Sequence, residues 1–376
     1  MNKKVMIYAY TKYNLGDDLL IQILCKRYPH VQFLLYTYPE YQFVFSDCSN
    51  LKIVSNGSIV SKAINSIGRL LHKNNAYERK IAKKCDVCVC ITGSLFIQGE
   101  GDWRPYLAYM KSRQVPGVPF YQIGSNFGPY RDKGFYEGFK EYFCCCEDVC
   151  FREQYSYDLF ADLPNVRVAP DVVFSGQFPV RKSEKMISIS VINLRDRKDL
   201  AQYQTHYRDY MVDLCRYYCQ KGYRVNLMSF CKEEGDEIMV GEILHELEEE
   251  GQGISPVFYR GNIDEIVNLI SQSEVVVATR FHAMILGWCM GKKVLPIIYS
   301  EKTEHVLYDI QYTGKRTKIQ QMNRKVINME HEINKIEILK EFDKYKIKQD
   351  AEKQFEKLDK ALNYRCNNWQ SGKSVY

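Results

Sequence analysis

The feature that most constrains the fold is a regular alternation of short apolar runs with longer segments of helical periodicity. The apolar runs are continuous, which is typical of parallel strands that are covered by helices on both faces. In the first half, the pattern predicts strands over 5–10, 31–35, 51–54, 87–91, 118–123, 149–151 and 166–168, and helices over 17–27, 59–71, 104–113, 133–143 and 154–161.

A polar, turn-rich break at 175–184 interrupts this pattern, which then restarts. Because the chain of 376 residues exceeds the usual size of a single core, we expect two α/β domains, over 1–178 and 183–328, that face a cleft. The second half predicts strands over 186–194, 224–229, 257–259, 274–278 and 293–297, and helices over 200–220, 236–250, 263–271 and 282–290.

The segment 329–376 has a different pattern. Apolar residues recur at helical spacing with Lys and Glu between them, which predicts one or two amphipathic helices. These helices pack on the domains or on a second subunit; the alternative is a long solvated helix. The apolar positions are 333, 336, 339, 342, 355, 358 and 362.

Composition excludes several classes of protein. A formal net charge of +6, spread along the chain, suits an anionic substrate or simply a solvated surface, but not a nucleic-acid interface. No apolar run resembles a signal peptide or approaches the ~20 residues of a membrane span, so we expect a cytoplasmic protein. The 14 cysteines lack metal-binding spacing, and we interpret them as reduced core thiols without a metal site.

The first candidate motif directly follows the first strand. Gly16, Asp17 and Asp18 open the first helix, where free N–H groups favour a ligand. The aspartates either bind substrate or only cap the helix. The pattern is not GxGxxG, so a nicotinamide cofactor is not indicated.

Two further strands end in small polar residues. Gly93 and Ser94 follow one strand, and Gly124, Ser125 and Asn126 follow another. Ligands gather at the carboxyl ends of parallel strands, so these residues are candidates for binding a phosphate or sugar hydroxyls. Turns without a ligand remain the alternative.

Arg280 and His282 stand where a buried strand runs into a helix. An arginine offers a permanent charge for a carboxylate or phosphate, and a histidine exchanges protons near neutral pH. Arg195 follows the strand predicted over 186–194 and is expected at the same edge, whereas Asp196 and Arg197 read as a surface pair. A structural role for His282 is the alternative.

The order of these motifs resembles the polysaccharide pyruvyl transferase family from about residue 6 to about residue 302. The resemblance rests on 14–18, 92–94, 124–129, 150–153, 169–171 and 279–283. It implies two Rossmann-like domains similar to glycosyltransferase type B. It also implies phosphoenolpyruvate as co-substrate, no other cofactor, and an acceptor in the synthesis of a capsule or exopolysaccharide.

The resemblance assigns His282, Arg280 and Arg195 to the donor. It assigns Gly16, Asp17, Asp18, Gly93, Ser94, Gly124, Ser125 and Asn126 to the acceptor side. His282 is expected as the acid that protonates the donor. The acceptor is expected to be a sugar or a glycan linked to a lipid or a nucleotide, and a lipid-linked acceptor would bring the protein to a membrane surface. A nucleotide-sugar glycosyltransferase and a non-catalytic homologue are the competing hypotheses.

Overall fold

The structure is a computed structural model that describes residues 3–70, 75–247, 253–322, 330 and 335–364. The first half forms a parallel sheet whose strands follow the order β3-β2-β1-β4-β5-β6-β7. The chain reverses its progression between β1 and β4, which opens a crevice at their carboxyl ends. The strands are β1 (Lys4–Tyr8), β2 (Gln32–Thr37), β3 (Leu51–Ser55), β4 (Val87–Ile91), β5 (Phe120–Ser125), β6 (Asp148–Phe151) and β7 (Val166–Val168).

Helices connect these strands, as parallel pairing requires. They are α1 (Leu15–Arg27), α2 (Tyr41–Val44), α3 (Ile59–Leu70), α4 (Ala76–Ala82), α5 (Arg104–Arg113), α6 (Lys133–Cys144) and α7 (Gln154–Leu159). The short helices α2 and α4 were not expected from the sequence.

A second parallel sheet follows, in the order β10-β9-β8-β11-β12-β13. Its strands are β8 (Met186–Ser190), β9 (Arg224–Ser229), β10 (Ile254–Phe258), β11 (Val275–Ala278), β12 (Lys293–Ile298) and β13 (Thr317–Lys318). Its helices are α8 (Gln204–Gln220), α9 (Asp236–Glu246), α10 (Ile263–Gln272), α11 (Phe281–Cys289) and α12 (Glu301–Asp309). The predicted fold class, two parallel α/β domains, is confirmed.

The strand predicted over 186–194 ends at Ser190. Val191, Ile192 and Leu194 are fully buried in the second domain's core, but they lie in a loop. A buried loop that does not pair with a strand has the same run of apolar residues as a strand. The strand predicted from the sequence was therefore too long.

The N-terminus of α1 joins the two domains. The Asn14 side chain caps this helix by accepting from Gly16 N at 3.0 Å and also donates to Glu234 of the second domain at 3.2 Å. Leu15 N donates to Phe230 O at 3.2 Å. Asn14 is therefore the cap, and neither Asp17 nor Asp18 has that role.

The C-terminal segment returns to the first domain through α13 (Glu341–Glu352) and α14 (Glu356–Ala361). Ile336 and Leu339 are buried but lie outside these helices, so the helix predicted at these positions is wrong. Ile338 instead bridges to Lys293 beside β12. Position 333 and the last twelve residues lie outside the described residues.

Gln354 fixes this segment to the ends of three strands. Its side chain accepts from Gly124 N at 3.1 Å and donates to the carbonyls of Phe151, Ala169 and Pro170 at 2.7–3.2 Å. Because Gln354 is fully buried, loss of its side chain would leave some of these polar atoms without a partner.

Most described cysteines are buried, as expected for core thiols, but Cys144 and Cys145 are exposed at the end of α6. Among the described residues, His, Cys, Asp and Glu form no cluster of three suited to a metal. In the same part of the chain, no helix is long and apolar enough to cross a bilayer.

Candidate functional site

A cavity of about 340 Å³ lies where the carboxyl ends of the two sheets face each other. Its wall is built from the residues that follow β1, β4, β6, β9, β11 and β12. This is the position at which parallel α/β sheets bind ligands. The lining residues are Tyr10, Asn14, Asp17, Thr92, Gly93, Ser94, Ile97, Arg152, Arg197, Phe230, Glu234, Arg280, Phe281, His282, Tyr299 and Lys302.

A wider groove of about 1050 Å³ lies beside α12 and α13 and shares only Arg152 with the cavity. Its wall consists largely of helix sides rather than strand ends. We therefore place the functional site in the smaller cavity, where the carboxyl ends of strands from both sheets meet.

His282 lies at the first turn of α11 and packs on Gly16. A Cβ atom at position 16 would lie 1.8 Å from the Nδ1 atom of His282. The Nε2 atom is 3.7 Å from Asp171, an ion-pair distance that is too long for a hydrogen bond. The imidazole is 13% exposed, so most of the ring is packed against protein and a small part of it faces the cavity.

Asp171 lies behind the cavity and is fully buried. It accepts hydrogen bonds from Arg152 at 3.0 Å and from Val173 N at 2.9 Å. Burial alone would raise its pKa, but His282 and Arg152 outweigh burial and lower the pKa to about 2. Asp171 is therefore held as an anion behind the cavity.

Arg280 lines the cavity, but its guanidinium is occupied. Its Nε donates to Asp236 at 2.8 Å, its Nη2 also donates to Asp236, and its Nη1 donates to Glu234 at 2.7 Å. An anionic ligand would have to compete with these two carboxylates. The sequence located Arg280 but could not reveal these partners.

Arg152 is a buried cation to which the sequence analysis gave no role beyond a motif. It follows β6 and donates to Asn126 at 2.7 Å and to Ser94 at 3.1 Å. Its guanidinium lies over the Phe281 ring at 4.5 Å from the centroid. Its position after a parallel strand was the signal that could have identified it.

Lys302 and Arg197 were also missed. Lys302, at the start of α12, donates to Ser94 at 3.3 Å, and no ion pair with a carboxylate is found for it among the described residues. Arg197 donates to Glu234 at 2.9 Å and lies over the Tyr299 ring at 5.1 Å, so it is not a surface pair with Asp196. Burial would raise the pKa of Tyr299, but Lys302, Arg197 and Arg280 together lower it.

Arg195 does not line the cavity. Its side chain is 62% exposed and pairs with Glu242 of α9 at 2.7 Å. It lies five residues beyond the end of β8, whereas the sequence analysis placed it directly at a strand end.

The residues predicted for the acceptor side divide into two groups. Gly16 underlies His282, and Asp17, Gly93 and Ser94 line the cavity. A second group does not line it: Asp18 accepts from Tyr259 at 2.7 Å, Gly124 binds Gln354, Ser125 is buried, and Asn126 supports Ser94 and Arg152.

The Asp17 carboxylate accepts from Thr92 Oγ1 at 3.2 Å and from Gly93 N at 3.4 Å. Burial raises its pKa above the usual value, although His282, Gly93 N and Arg152 oppose the rise. It is therefore the cavity carboxylate best suited to accept a proton.

The fold defines a two-domain protein of the glycosyltransferase type B architecture, with the cavity between the domains. HepE from Anabaena in complex with UDP aligns with a TM-score of 0.55 at 10% identity, covering 96% of this chain and 100% of that chain. UDP-GlcNAc 2-epimerase from Neisseria meningitidis, bound to UDP-GlcNAc, aligns with a TM-score of 0.51 at 11% identity, covering 95% and 100%. At these identities, the likeness concerns the fold alone.

The sequence identifies the family more closely. Residues 14–301 match the polysaccharide pyruvyl transferase family, and the chain belongs to it. No curated protein matches the chain in sequence. The family predicted from the motifs is therefore confirmed.

Proposed function

We propose that this protein transfers pyruvate from phosphoenolpyruvate to hydroxyls of a sugar in a cell-surface polysaccharide or its precursor, forming a ketal. Family membership supports pyruvyl transfer to a polysaccharide. One observation carries the choice of donor: His282 lies in a cavity whose wall also holds Lys302, Arg197 and Arg152. These groups suit a small molecule that is strongly anionic and must be protonated.

The donor carries a carboxylate and a phosphate, which need cations on more than one side. Lys302 and Arg197 belong to the second domain, and Arg152 belongs to the first. Lys302 is the principal donor ligand in this proposal because no carboxylate partner is found for it in the described chain. Arg280 holds Glu234 and Asp236 in place through its hydrogen bonds to both carboxylates.

His282 is the proposed acid. Transfer of its proton to the methylene carbon makes a methyl group and leaves positive charge on C2, to which the first sugar hydroxyl adds. The C2–phosphate bond then breaks, and a second hydroxyl adds to C2 to close the ketal. The two hydroxyl protons balance the reaction: one restores His282 and the other leaves with hydrogen phosphate.

Asp17 is the proposed base. It lies in the cavity wall, and burial raises its pKa, whereas Asp171 is held ionised by Arg152 and His282. Asp17 can therefore take a hydroxyl proton as the sugar oxygen attacks and pass it to the leaving phosphate, while Asp171 stays ionised behind His282. Phosphoenolpyruvate is a cytoplasmic metabolite, so this proposal places the protein in the cytoplasm.

The test is incubation of the protein with phosphoenolpyruvate and candidate glycan precursors, read by mass spectrometry and by phosphate release. We expect a product heavier by one pyruvate less one water, with one phosphate released per product. His282→Ala should lower turnover by at least about a hundredfold, the usual range for loss of an acid. Near-normal transfer by this variant would refute the assignment of the acid.

Thermal shift separates the proposal from a nucleotide-sugar glycosyltransferase. Phosphoenolpyruvate should raise the Tm of the wild type, and Lys302→Ala should weaken that shift. A Tm shift with UDP-sugars but none with phosphoenolpyruvate would replace the proposed function.

A further inference from the structure

Helix α3 exposes its apolar face and buries its polar face. Its apolar side chains face solvent: Ile59 is 86% exposed, Val60 57%, Ile67 59% and Leu70 82%. A surface helix normally buries its apolar stripe and presents its polar side to water. Single exposed apolar residues need no explanation, but several on one helix form a patch that does.

The inner face of α3 is held by polar and small residues. Ser61 is fully buried and shares a 2.6 Å hydrogen bond with the Tyr36 hydroxyl. Asn65 donates to the same hydroxyl at 3.2 Å and accepts from Tyr77 N at 3.0 Å. Gly68 is also buried. These bonds fix which face points outward, so the apolar exposure does not result from a loosely attached helix.

The sequence that contains α3 and α4 is strongly positive. Residues 56–84 contain seven Lys and Arg against a single acid, Glu78, a difference equal to the formal net charge of +6 for the whole chain. Glu78 is buried 3.7 Å from Arg113, so it does not offset the surface charge. Lys62, Lys80, Lys83 and Lys84 are exposed.

We infer that α3, with Lys80 of α4 and the following Lys83 and Lys84, is the surface through which this protein docks on an anionic lipid bilayer. Apolar side chains that enter the boundary between headgroups and acyl chains, flanked by lysines that meet anionic headgroups, are the chemistry of an interfacial helix. A second copy of the chain fits less well, because a symmetric contact would place two strongly positive segments against each other.

Helix α3 begins four residues after β3 ends, so its start lies at the carboxyl edge of the first sheet, whereas Lys83 and Lys84 directly precede β4 and lie at the opposite edge. The proposed surface therefore runs along the outside of the first domain, between these two edges. The docking itself does not depend on the proposed pyruvyl transfer.

The experiment is flotation of the full-length protein with vesicles of phosphatidylcholine alone or with about one third phosphatidylglycerol. We expect binding to the anionic vesicles, and a decrease in binding as salt rises. The Ile67→Glu/Leu70→Glu variant should lose at least tenfold in binding. Replacing Lys80, Lys83 and Lys84 by Gln should lose about fivefold for each lysine that meets the membrane surface.

The matched control is Val180→Glu/Ile238→Glu, which replaces two exposed apolar residues elsewhere and adds the same charge. It should bind vesicles like the wild type, and circular dichroism should show that all variants are folded. Failure of the wild type to bind, or equal loss in the control and the α3 variant, would overturn the inference. A concentration-dependent dimer that the α3 variant abolishes, without vesicle binding, would assign the face to self-association instead.

Pyruvyl transfer to a water-soluble acceptor is measured in parallel. If the α3 variant keeps this activity and loses vesicle binding, the docking surface is supported independently of the site. If transfer is absent in every variant but vesicle binding follows the predicted order, only the proposed function fails.

Discussion

The imidazole of His282 rests on the backbone of Gly16, so a residue of the second domain is positioned by the first turn of a helix in the first domain. A Cβ atom at Gly16 would come within 1.8 Å of the ring. The absent side chain thus provides the space that the ring occupies. The hydrogen bonds of Asn14 to Gly16 and Glu234 keep this turn against the second domain.

Gly16→Ala should displace the ring and lower kcat by about a hundredfold if His282 is the acid. In a His282→Ala background, Gly16→Ala should have no further effect on kcat. It should also stabilise the fold by up to about 1 kcal/mol, because alanine has a higher helix propensity than glycine. Kinetics and urea unfolding of both single variants and the double variant measure this coupling. Additive losses in kcat would contradict it.

Lys302→Ala should raise the KM for phosphoenolpyruvate by about 10- to 100-fold, the range for a lost hydrogen bond to a charged group. Lys302→Arg should recover part of the loss because it keeps the charge. Arg195→Ala is the matched control, since Arg195 is exposed and lies outside the cavity. Steady-state kinetics decide, and a larger effect from Arg195 than from Lys302 would restore the role predicted from the sequence.

Asp171→Asn should destabilise the protein by about 2–4 kcal/mol at pH 7. The pKa of Asp171 is about 2 in the folded protein, below its usual 3.8, so its contribution is present above about pH 4 and is lost as pH falls toward 2. The difference in unfolding free energy between wild type and variant should shrink over that window. The exposed Asp199→Asn is the control for the loss of one carboxylate.

For Asp18 we expect the unfolding free energy to change with pH in the opposite direction. Burial raises its pKa well above 3.8, although the hydrogen bond from Tyr259 opposes the rise. The folded protein therefore binds this proton more tightly than the unfolded chain, and stability falls as pH rises above about 4. Asp18→Asn should remove this slope and stabilise the protein at pH 7 by more than about 1 kcal/mol.

Tyr259→Phe provides the counterpart, because it removes only the donor to Asp18. It should destabilise the protein at neutral pH by about 1–3 kcal/mol. Urea unfolding from pH 5 to pH 8 measures both variants. A steeper slope in Asp18→Asn than in the wild type would show that burial does not control this carboxyl group.

The sequence could predict the sheets and the strand-end residues because both follow from short-range patterns. Continuous apolar runs indicate parallel strands, and the residues after them reach a common edge. Asp17, Gly93, Ser94, Arg280 and His282 were found in this way, and all line the cavity.

The missed residues share one physical reason: their roles depend on contacts between segments distant in sequence. Arg152 approaches Ser94 from another strand end, and Lys302 reaches the same hydroxyl from the second domain. The carboxylates that hold Arg280 come from the segment before α9 and its first residue. Arg195 was misplaced because the buried loop before it gives the same apolar signal as a strand.

The return of the C-terminal segment gives the domains a second covalent link. The chain passes from the first domain to the second between Gly176 and Lys185, and passes back between Leu339, packed near β12, and α13. Two parallel tethers resist twisting far better than a single one. The cleft should therefore open by a hinge rotation of one domain against the other, with little twist between the domains as ligands enter and leave.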